Sequence, residues 1–114
     1  MNLIQSFRFA IEGLLYAIRS QLNLRIHLCG LLFMIWSSFY FRFTKMELIA
    51  SILSATFVIA IEMINTAIES CVDLITEEWK PLAKAAKDCA AGGVLVSSIC
   101  AVVIWGIIIF GKIT

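Results

Sequence analysis

The sequence has 114 residues, of which 61% are hydrophobic and only 15% are charged, and its formal net charge is +1. Soluble domains use roughly 45–50% apolar residues, so this composition predicts one integral-membrane domain over residues 1–114. The small net charge and the lack of a basic stripe exclude a nucleic-acid-binding protein.

The first predicted element covers residues 1–22. Hydrophobic residues recur at alternating steps of three and four from Ile4 to Ile18, whereas Arg8, Glu12 and Arg19 fall on the opposite side. This pattern predicts an amphipathic helix that lies in the membrane interface with its apolar face towards lipid.

Three long apolar segments follow, and each predicts a transmembrane helix. We place these helices at residues 25–43, 48–70 and 89–111, because about 20 residues are needed to cross a bilayer. The first segment is the shortest, but Arg25 and Arg42 at its ends can extend their charged groups to the lipid headgroups. The predicted fold is therefore an all-α membrane protein with an interfacial helix and three spans.

Basic residues set the predicted orientation of the chain. They divide six to three between the two sides of the membrane, with Arg8, Arg19, Arg25, Lys80, Lys84 and Lys87 opposite Arg42, Lys45 and Lys112. The positive-inside rule then places the N-terminus and the second connection in the cytoplasm. Pro81, in that connection, predicts the start of the last helix, since proline is tolerated at the first helical position.

The second predicted span carries a row of polar residues. Glu62, Asn65, Glu69 and Asp73 are spaced by three, four and four residues, so they fall within about 80° on one helix face. A charged group at the bilayer centre costs about 2.5–3.5 kcal/mol, so the deep Glu62 indicates a functional site. Glu62 is either protonated, paired with a cation from another helix, or exposed to a hydrated site. Asp73 is equally compatible with a helix end that emerges into the headgroups.

Glu62 and Glu69 are about 10 Å apart along the helix axis, too far to bind one small ion together. One carboxylate is therefore free to act as a base while the other binds a metal, for which Mg²⁺ is well suited. Lys84, Lys87 and Asp88 form a polar patch on the same side, where a lysine either neutralises phosphate or simply supplies positive-inside charge.

Residue patterns alone leave three functions open. One is a metal-assisted enzyme that works as an oligomer, because three helices cannot by themselves enclose a polar pocket away from lipid. Another is a small proton-coupled transporter that cycles protons through Glu62. The third is a non-catalytic assembly subunit.

The motif Glu62-x-x-Asn65-Thr66-Ala67-Ile68-Glu69-x-x-Val72-Asp73, with the downstream Ala83-Lys84-x-Ala86-Lys87-Asp88-x-Ala90-Ala91-Gly92, resembles the prokaryotic diacylglycerol kinase family. The resemblance covers nearly the whole chain. It implies a homotrimer in the bacterial cell membrane, with active sites shared between subunits at the cytoplasmic interface. It also implies ATP- and Mg²⁺-dependent transfer of the γ-phosphate to the hydroxyl group of a membrane lipid.

The same resemblance assigns roles to individual residues. Glu62 is implied as the general base that takes the proton from the lipid hydroxyl, Asn65 as a residue that orients the site, and Glu69 as the ligand of the divalent metal. The implied nucleotide-binding residues are Glu69, Asp73, Glu78, Trp79, Lys87 and Asp88. The sequence does not assign the side chains that contact lipid.

The chain departs from the family pattern at three positions. Gln21 stands where a second metal-binding Glu is expected, so it is implied as a neutral metal ligand. Asn2 and Phe9 replace an Arg and a Tyr that assist the nucleotide, and these roles are not carried over. The segment Asn23-Leu24-Arg25-Ile26-His27 resembles the Gram-positive branch, which favours undecaprenol over diacylglycerol as the substrate; His27 itself is interpreted as a structural interface residue.

Overall fold

The computed structural model describes residues 1–114 as four α-helices. Helix α1 spans Leu3–Ser20, α2 spans Leu22–Tyr40, α3 spans Lys45–Ile75 and α4 spans Pro81–Ile113. Helices α2, α3 and α4 are long and apolar enough to cross a membrane. The prediction of an all-α protein with three candidate membrane spans is therefore confirmed.

Short-range signals in the sequence set where the helices begin. Asn2 caps α1, because its side chain accepts a hydrogen bond from the Gln5 N–H while the Gln5 side chain accepts one from the Asn2 N–H. Thr44 and Glu47 form the same reciprocal capping box at the start of α3. Helix α4 begins at Pro81, where the missing N–H of proline has no helical partner to lose.

The breaks between the helices fall close to the predicted ones. The backbone of Gln21 is extended, with φ −120° and ψ 112°, so the N-terminal helix ends at Ser20 rather than continuing to residue 22. Helix α2 ends at Tyr40, short of the boundary predicted at residue 43. Arg42 adopts a positive φ of 56°, a left-handed conformation that reverses the chain direction towards α3.

Helix α3 is the central element of the fold. It packs mainly against α4 and α2, while α1 contacts α2 and α3. With 31 residues it is about 46 Å long, which exceeds the roughly 30 Å of a bilayer core. Part of α3 must therefore extend beyond the hydrocarbon region when the helix crosses a membrane.

Burial in this chain is the reverse of burial in a soluble domain. The hydrophobic residues that are buried are Ala17, Leu24, Met34 and Val58, whereas the other buried residues are polar or charged. Large apolar side chains are exposed along every helix. Because soluble monomers rarely expose large continuous apolar surfaces, these helix faces fit contact with lipid or with other membrane-embedded chains.

Candidate active site

The deepest residue of the polar row on α3 is Glu62. Its side chain is fully buried, with 0% exposed, and both carboxylate oxygens lack a hydrogen-bond partner. The neighbouring Thr66 hydroxyl donates to the backbone carbonyl of Glu62 at 3.0 Å and leaves the carboxylate free. A buried carboxyl group without a partner costs stability, which makes Glu62 a candidate functional residue.

Two amide side chains hold the second carboxylate, Glu69. Asn65 Nδ2 donates to Glu69 Oε1 at 3.1 Å from one turn earlier on the same helix. Gln21 Nε2, at the junction of α1 and α2, lies 3.5 Å from Glu69 Oε2. The fold thus brings together the two predicted metal ligands, Gln21 and Glu69, and Asn65, which was predicted to orient the site.

The residues around Glu69 fit a site for Mg²⁺ that is shared with a nucleotide, but not a site enclosed by protein side chains alone. The chain contains no cluster of three or more His, Cys, Asp or Glu side chains that could enclose an ion. Glu69 does offer a carboxylate, and the Asn65 amide oxygen is buried without a hydrogen-bond partner. Mg²⁺ is commonly bound by one or two carboxylates together with phosphate oxygens and water, so this donor set fits an ion shared with a nucleotide.

Charged residues join α3 to α4 one turn beyond Glu69. Lys87 Nζ lies 2.5 Å from Asp73 Oδ1, and Lys84 forms an ion pair with Asp88 along α4. Asp73, Lys87 and Asp88 are thus gathered where the two helices meet. Each of these side chains is at least partly exposed, which leaves them accessible to a water-soluble ligand.

Glu78 and Trp79 lie in the connection between α3 and α4. Trp79 is 73% exposed, and Glu78 forms an exposed ion pair with Lys80 at 3.5 Å. Neither side chain hydrogen-bonds to Glu69 or Lys87. Within a single chain, therefore, the structure does not unite these two predicted nucleotide-binding residues with the others.

Two residues in this region were not predicted as parts of the site. Thr66 is one, and its spacing of four residues from Glu62 was the available signal. The other is His27, which lines a cavity of about 380 Å³ between α2, α3 and α4. Its placement depends on how α2 is aligned against α3, which the sequence of either helix does not reveal.

Together, the fold and this site define a small helical membrane protein with a carboxylate centre. The family model for prokaryotic diacylglycerol kinase matches residues 8–109, a range that includes all of the predicted site residues. The chain belongs to the prokaryotic diacylglycerol kinase family.

Individual relatives agree with this assignment. A diacylglycerol kinase from Synechocystis sp. is 40% identical over 106 residues, which cover 92% of this chain and 61% of the relative. An undecaprenol kinase from Bacillus subtilis is 36% identical over 106 residues, covering 93% of this chain and 85% of the relative. A diacylglycerol kinase from Haemophilus influenzae is 34% identical over 110 residues, which cover 96% of this chain and 92% of the relative.

The matched region thus spans only about three fifths of the Synechocystis protein but most of the other two. Family and relatives alike indicate a lipid kinase, in agreement with the enzyme class that the motif implies. They favour this class over the proton-coupled transporter and the non-catalytic subunit.

Proposed function

We propose that this chain is an ATP- and Mg²⁺-dependent lipid kinase of the bacterial cell membrane, which transfers the γ-phosphate of ATP to a lipid hydroxyl group. The observation that carries the proposal is the contrast between two carboxylates on one helix. Glu62 is buried and unpaired, whereas Glu69 is held by two amides. Phosphoryl transfer needs a base at the attacking hydroxyl and neutralised charge at the phosphates. The environment of Glu62 supports the first role, and that of Glu69 supports the second.

In the proposed reaction, Glu62 accepts the proton of the lipid hydroxyl as its oxygen attacks the γ-phosphorus. The bond from that phosphorus to the bridging oxygen breaks, and its electron pair leaves with ADP. Glu69 would hold Mg²⁺ with the amide oxygens of Asn65 and Gln21, and the ion, when bound, neutralises phosphate charge. Asn65 also orients the Glu69 carboxylate through the hydrogen bond already present.

The nucleotide is proposed to bind at the α3–α4 junction. Lys87 carries three N–H donors and uses one on Asp73, so others remain for phosphate oxygens. Asp88 lies one residue further along α4 and belongs to the same group. Glu78 and Trp79 are proposed to complete the nucleotide site from the exposed connection, where Trp79 offers an aromatic surface.

We propose undecaprenol as the acceptor lipid. The segment from Asn23 to His27 resembles the Gram-positive branch of the family, and the Bacillus subtilis relative, named an undecaprenol kinase, matches over 85% of its length. Diacylglycerol is the second candidate, because the Synechocystis and Haemophilus influenzae relatives are named diacylglycerol kinases.

The proposed assembly is a homotrimer with the N-terminus in the cytoplasm and α1 in the membrane interface. Support for self-association comes from the burial pattern, since one chain encloses little apolar core and leaves large apolar faces exposed. Support for the orientation comes from the excess of Arg and Lys on the side that carries Lys84 and Lys87.

A phosphorylation assay tests this function directly. Purified protein in mixed micelles receives γ-labelled ATP, Mg²⁺ and equal amounts of undecaprenol and diacylglycerol, and the labelled lipids are then separated. We expect labelled undecaprenyl phosphate, and loss of at least 100-fold in rate for Glu62→Gln, since general-base catalysis contributes about 10²–10⁴-fold.

The matched control is Glu12→Gln, the same chemical change at an exposed residue of α1 that is paired only with Arg8. This variant should retain its rate, because exposed ion pairs contribute little. Failure of the unmodified protein to phosphorylate either lipid would contradict the proposed function. Preference for diacylglycerol would contradict only the choice of acceptor.

A further inference from the structure

A cavity of about 380 Å³ lies between the three candidate membrane spans. Helices α2 and α4 both pack against α3 but scarcely against each other, so the cavity is the gap that they leave over one face of α3. Buried Ser51 and Val58 form its floor, whereas its edges include Ile26, Phe33 and Val102, which are exposed. The cavity therefore opens on the apolar surface of the chain.

The floor of the cavity continues the polar row of α3. Four residues share one face of this helix at steps of four, three and four, namely Ser51, Ala55, Val58 and Glu62. Val58 lines the cavity, and Glu62 lies one turn further towards the polar end of α3. Ser51 and Glu62 are about 16.5 Å apart along the helix axis. The cavity thus leads from the middle of the predicted membrane region towards the proposed base.

The lining of the cavity does not suit a charged ligand. It contains no carboxylate, lysine or arginine, and His27 is its one ionisable residue. A nucleotide or a metal ion would lose its hydration there without gaining a partner of opposite charge. The volume falls in the range of about 300–1,000 Å³ that is usual for ligand pockets. An occupant of this size must therefore be mainly apolar.

Two serine hydroxyls show that the chain's own side chains do not fill the cavity. Ser51, which is 2% exposed, and Ser98 both line it, and the buried Oγ atom of each lacks a hydrogen-bond partner. By contrast, Ser54 Oγ donates to the Ser51 carbonyl at 3.0 Å. A serine in a helix can rotate to make such a bond, so an apolar occupant would leave neither hydroxyl unsatisfied.

Trp105 closes the end of the cavity that is further from Glu62. Helices α3 and α4 run in opposite directions, so Trp105 lies at the Ser51 end. Its Nε1 donates to Ser37 Oγ at 2.9 Å, and its ring centroid is 5.8 Å from that of Phe33. Both contacts join α4 to α2 at this level. The cavity is therefore open at its side, closed at one end, and directed towards Glu62 at the other.

We propose that this cavity holds one hydrocarbon chain of the acceptor lipid, in the segment next to its hydroxyl group, so that the hydroxyl reaches Glu62. The inference rests on the proposed lipid kinase function, and for undecaprenol this segment is the isoprenoid chain nearest the hydroxyl. Such a lipid matches the change along α3 from polar Asn65 and Glu62 to apolar Val58 and Ala55. The rest of a long chain leaves through the open side and remains in the bilayer.

Two other occupants fit less well. A helix of a second copy is about 10–12 Å across with its side chains, too wide for a cavity of this volume. The chain of a bulk membrane lipid has the right width, but its headgroup gives it no reason to end at a buried carboxylate. A hydroxyl-bearing lipid satisfies both the apolar lining and Glu62.

Filling the cavity from its wall tests the proposal through lipid affinity. Gly30 lines the cavity, and a Cβ added there meets no atom within 4 Å. Gly30→Leu should therefore occupy the space of the lipid chain without disturbing the packing of α2. We expect the KM for undecaprenol in mixed micelles to rise about tenfold or more, because one methylene group in an apolar pocket changes binding about 10–200-fold. The KM for ATP should not change.

Gly106→Leu is the matched control. Gly106 also lies in a candidate span and has no atom within 4 Å of an added Cβ, but it does not line the cavity. This variant should keep both KM values, whereas Ala55→Leu, which fills the cavity from α3, should act as Gly30→Leu does. An unchanged lipid KM in Gly30→Leu overturns the proposal, as does an equal rise in Gly106→Leu.

Photolabelling locates the chain without requiring turnover. The probe is a short isoprenoid alcohol with a diazirine on its terminal isoprene unit, and mass spectrometry of the peptides locates the adducts. We expect adducts near Met34 and Trp105, which line the cavity away from Glu62. Excess undecaprenol should suppress them, and Gly30→Leu should reduce them while Gly106→Leu does not. Equal labelling by the same probe without its hydroxyl would indicate general contact with membrane lipid and overturn the proposal.

The two proposals can fail separately. If the unmodified protein phosphorylates lipid but the probe labels residues outside the cavity, only the chain site is wrong. If no lipid is phosphorylated, competition between the probe and undecaprenol at Met34 and Trp105 still decides whether the cavity binds an isoprenoid alcohol. The oligomeric state of each variant is measured in micelles. A change of this state in Gly30→Leu with unchanged labelling would assign the cavity to a second copy and overturn the proposal.

Discussion

Lys87 on α4 and Asp73 on α3 form an ion pair, with Nζ 2.5 Å from Oδ1, one turn beyond the Glu69 carboxylate. The pair connects the two longest helices at the side of the molecule where the nucleotide is proposed to bind. It also fixes a lysine that would otherwise be a flexible cation on a four-carbon stem. The charge proposed to bind phosphate is thus positioned before any ligand arrives.

Replacement of Lys87 by Met should therefore weaken nucleotide binding more than lipid binding. Loss of a charged hydrogen bond to phosphate predicts a rise in KM for ATP of about tenfold or more. The KM for lipid should change little, because Lys87 lies at the polar end of the site. Initial rates over a matrix of ATP and lipid concentrations separate the two constants.

Lys45→Met is the matched control for this prediction. Lys45 is an exposed lysine at the opposite end of α3 and forms no ion pair. Its replacement should leave both constants unchanged. Equal rises of the ATP KM in both lysine variants would show that general loss of positive charge, rather than the position of Lys87, is responsible.

Gln21→Glu should strengthen divalent metal binding. The Gln21 amide already lies 3.5 Å from Glu69, so a glutamate there places two carboxylates at one ion. Affinity for hard cations rises with the number of charged ligands, and we expect the Mg²⁺ concentration for half-maximal rate to fall about tenfold. The measurement is a Mg²⁺ titration of phosphorylation at fixed, saturating ATP and lipid.

Gln5→Glu is a suitable control for the extra negative charge. Gln5 occupies the third position of α1, where a glutamate can replace it in the capping box with Asn2. This variant should remain folded and show the metal dependence of the unmodified protein. An unchanged Mg²⁺ midpoint in Gln21→Glu would rule out a metal-binding role for this position.

Sequence patterns predicted the faces of single helices better than the contacts between helices. The row from Glu62 to Asp73 lies on α3 as expected, because the period of one helix alone decides which residues share a face. The start of α4 at Pro81 likewise depends only on local backbone chemistry.

Contacts between distant segments were harder to predict. Gln21 near Glu69 followed from resemblance to a family, not from helical spacing. The position of His27 in the cavity between α2, α3 and α4 depends on how these helices are aligned. The ion pair of Glu47 with Lys112 likewise joins the start of α3 to the end of α4. Such alignments arise from the packing of whole helices against each other. The hydrophobic period within one helix does not determine them.

The ion pair between Glu47 and Lys112 should contribute to stability without affecting catalysis. Its atoms are 2.7 Å apart, and Lys112 also donates to the Arg42 carbonyl at 3.3 Å, so α4 is attached to the α2–α3 connection. Lys112→Met should lower the midpoint of thermal unfolding in micelles by a few degrees, given the modest strength of partly exposed pairs.

The KM values for ATP and lipid should stay the same, since this pair lies at the end of α3 away from Glu69. Exchange of the charges, with Glu47→Lys and Lys112→Glu together, should recover part of the lost stability. A double variant less stable than Lys112→Met would contradict a direct interaction between the two side chains.

Ser37 and Ser38 provide a test of a hydrogen bond within the predicted membrane region. Both are buried and both donate to carbonyls of α2, but only Ser37 also accepts a hydrogen bond from Trp105 Nε1, at 2.9 Å. Ser37→Ala should destabilise the protein by about 0.6 kcal/mol, with about 1.7 kcal/mol as the upper bound for such bonds, and Ser38→Ala by less. Unfolding by sodium dodecyl sulfate, followed through tryptophan fluorescence, measures both variants. Equal destabilisation by the two substitutions would show that the bond to Trp105 contributes nothing beyond the packing of either serine.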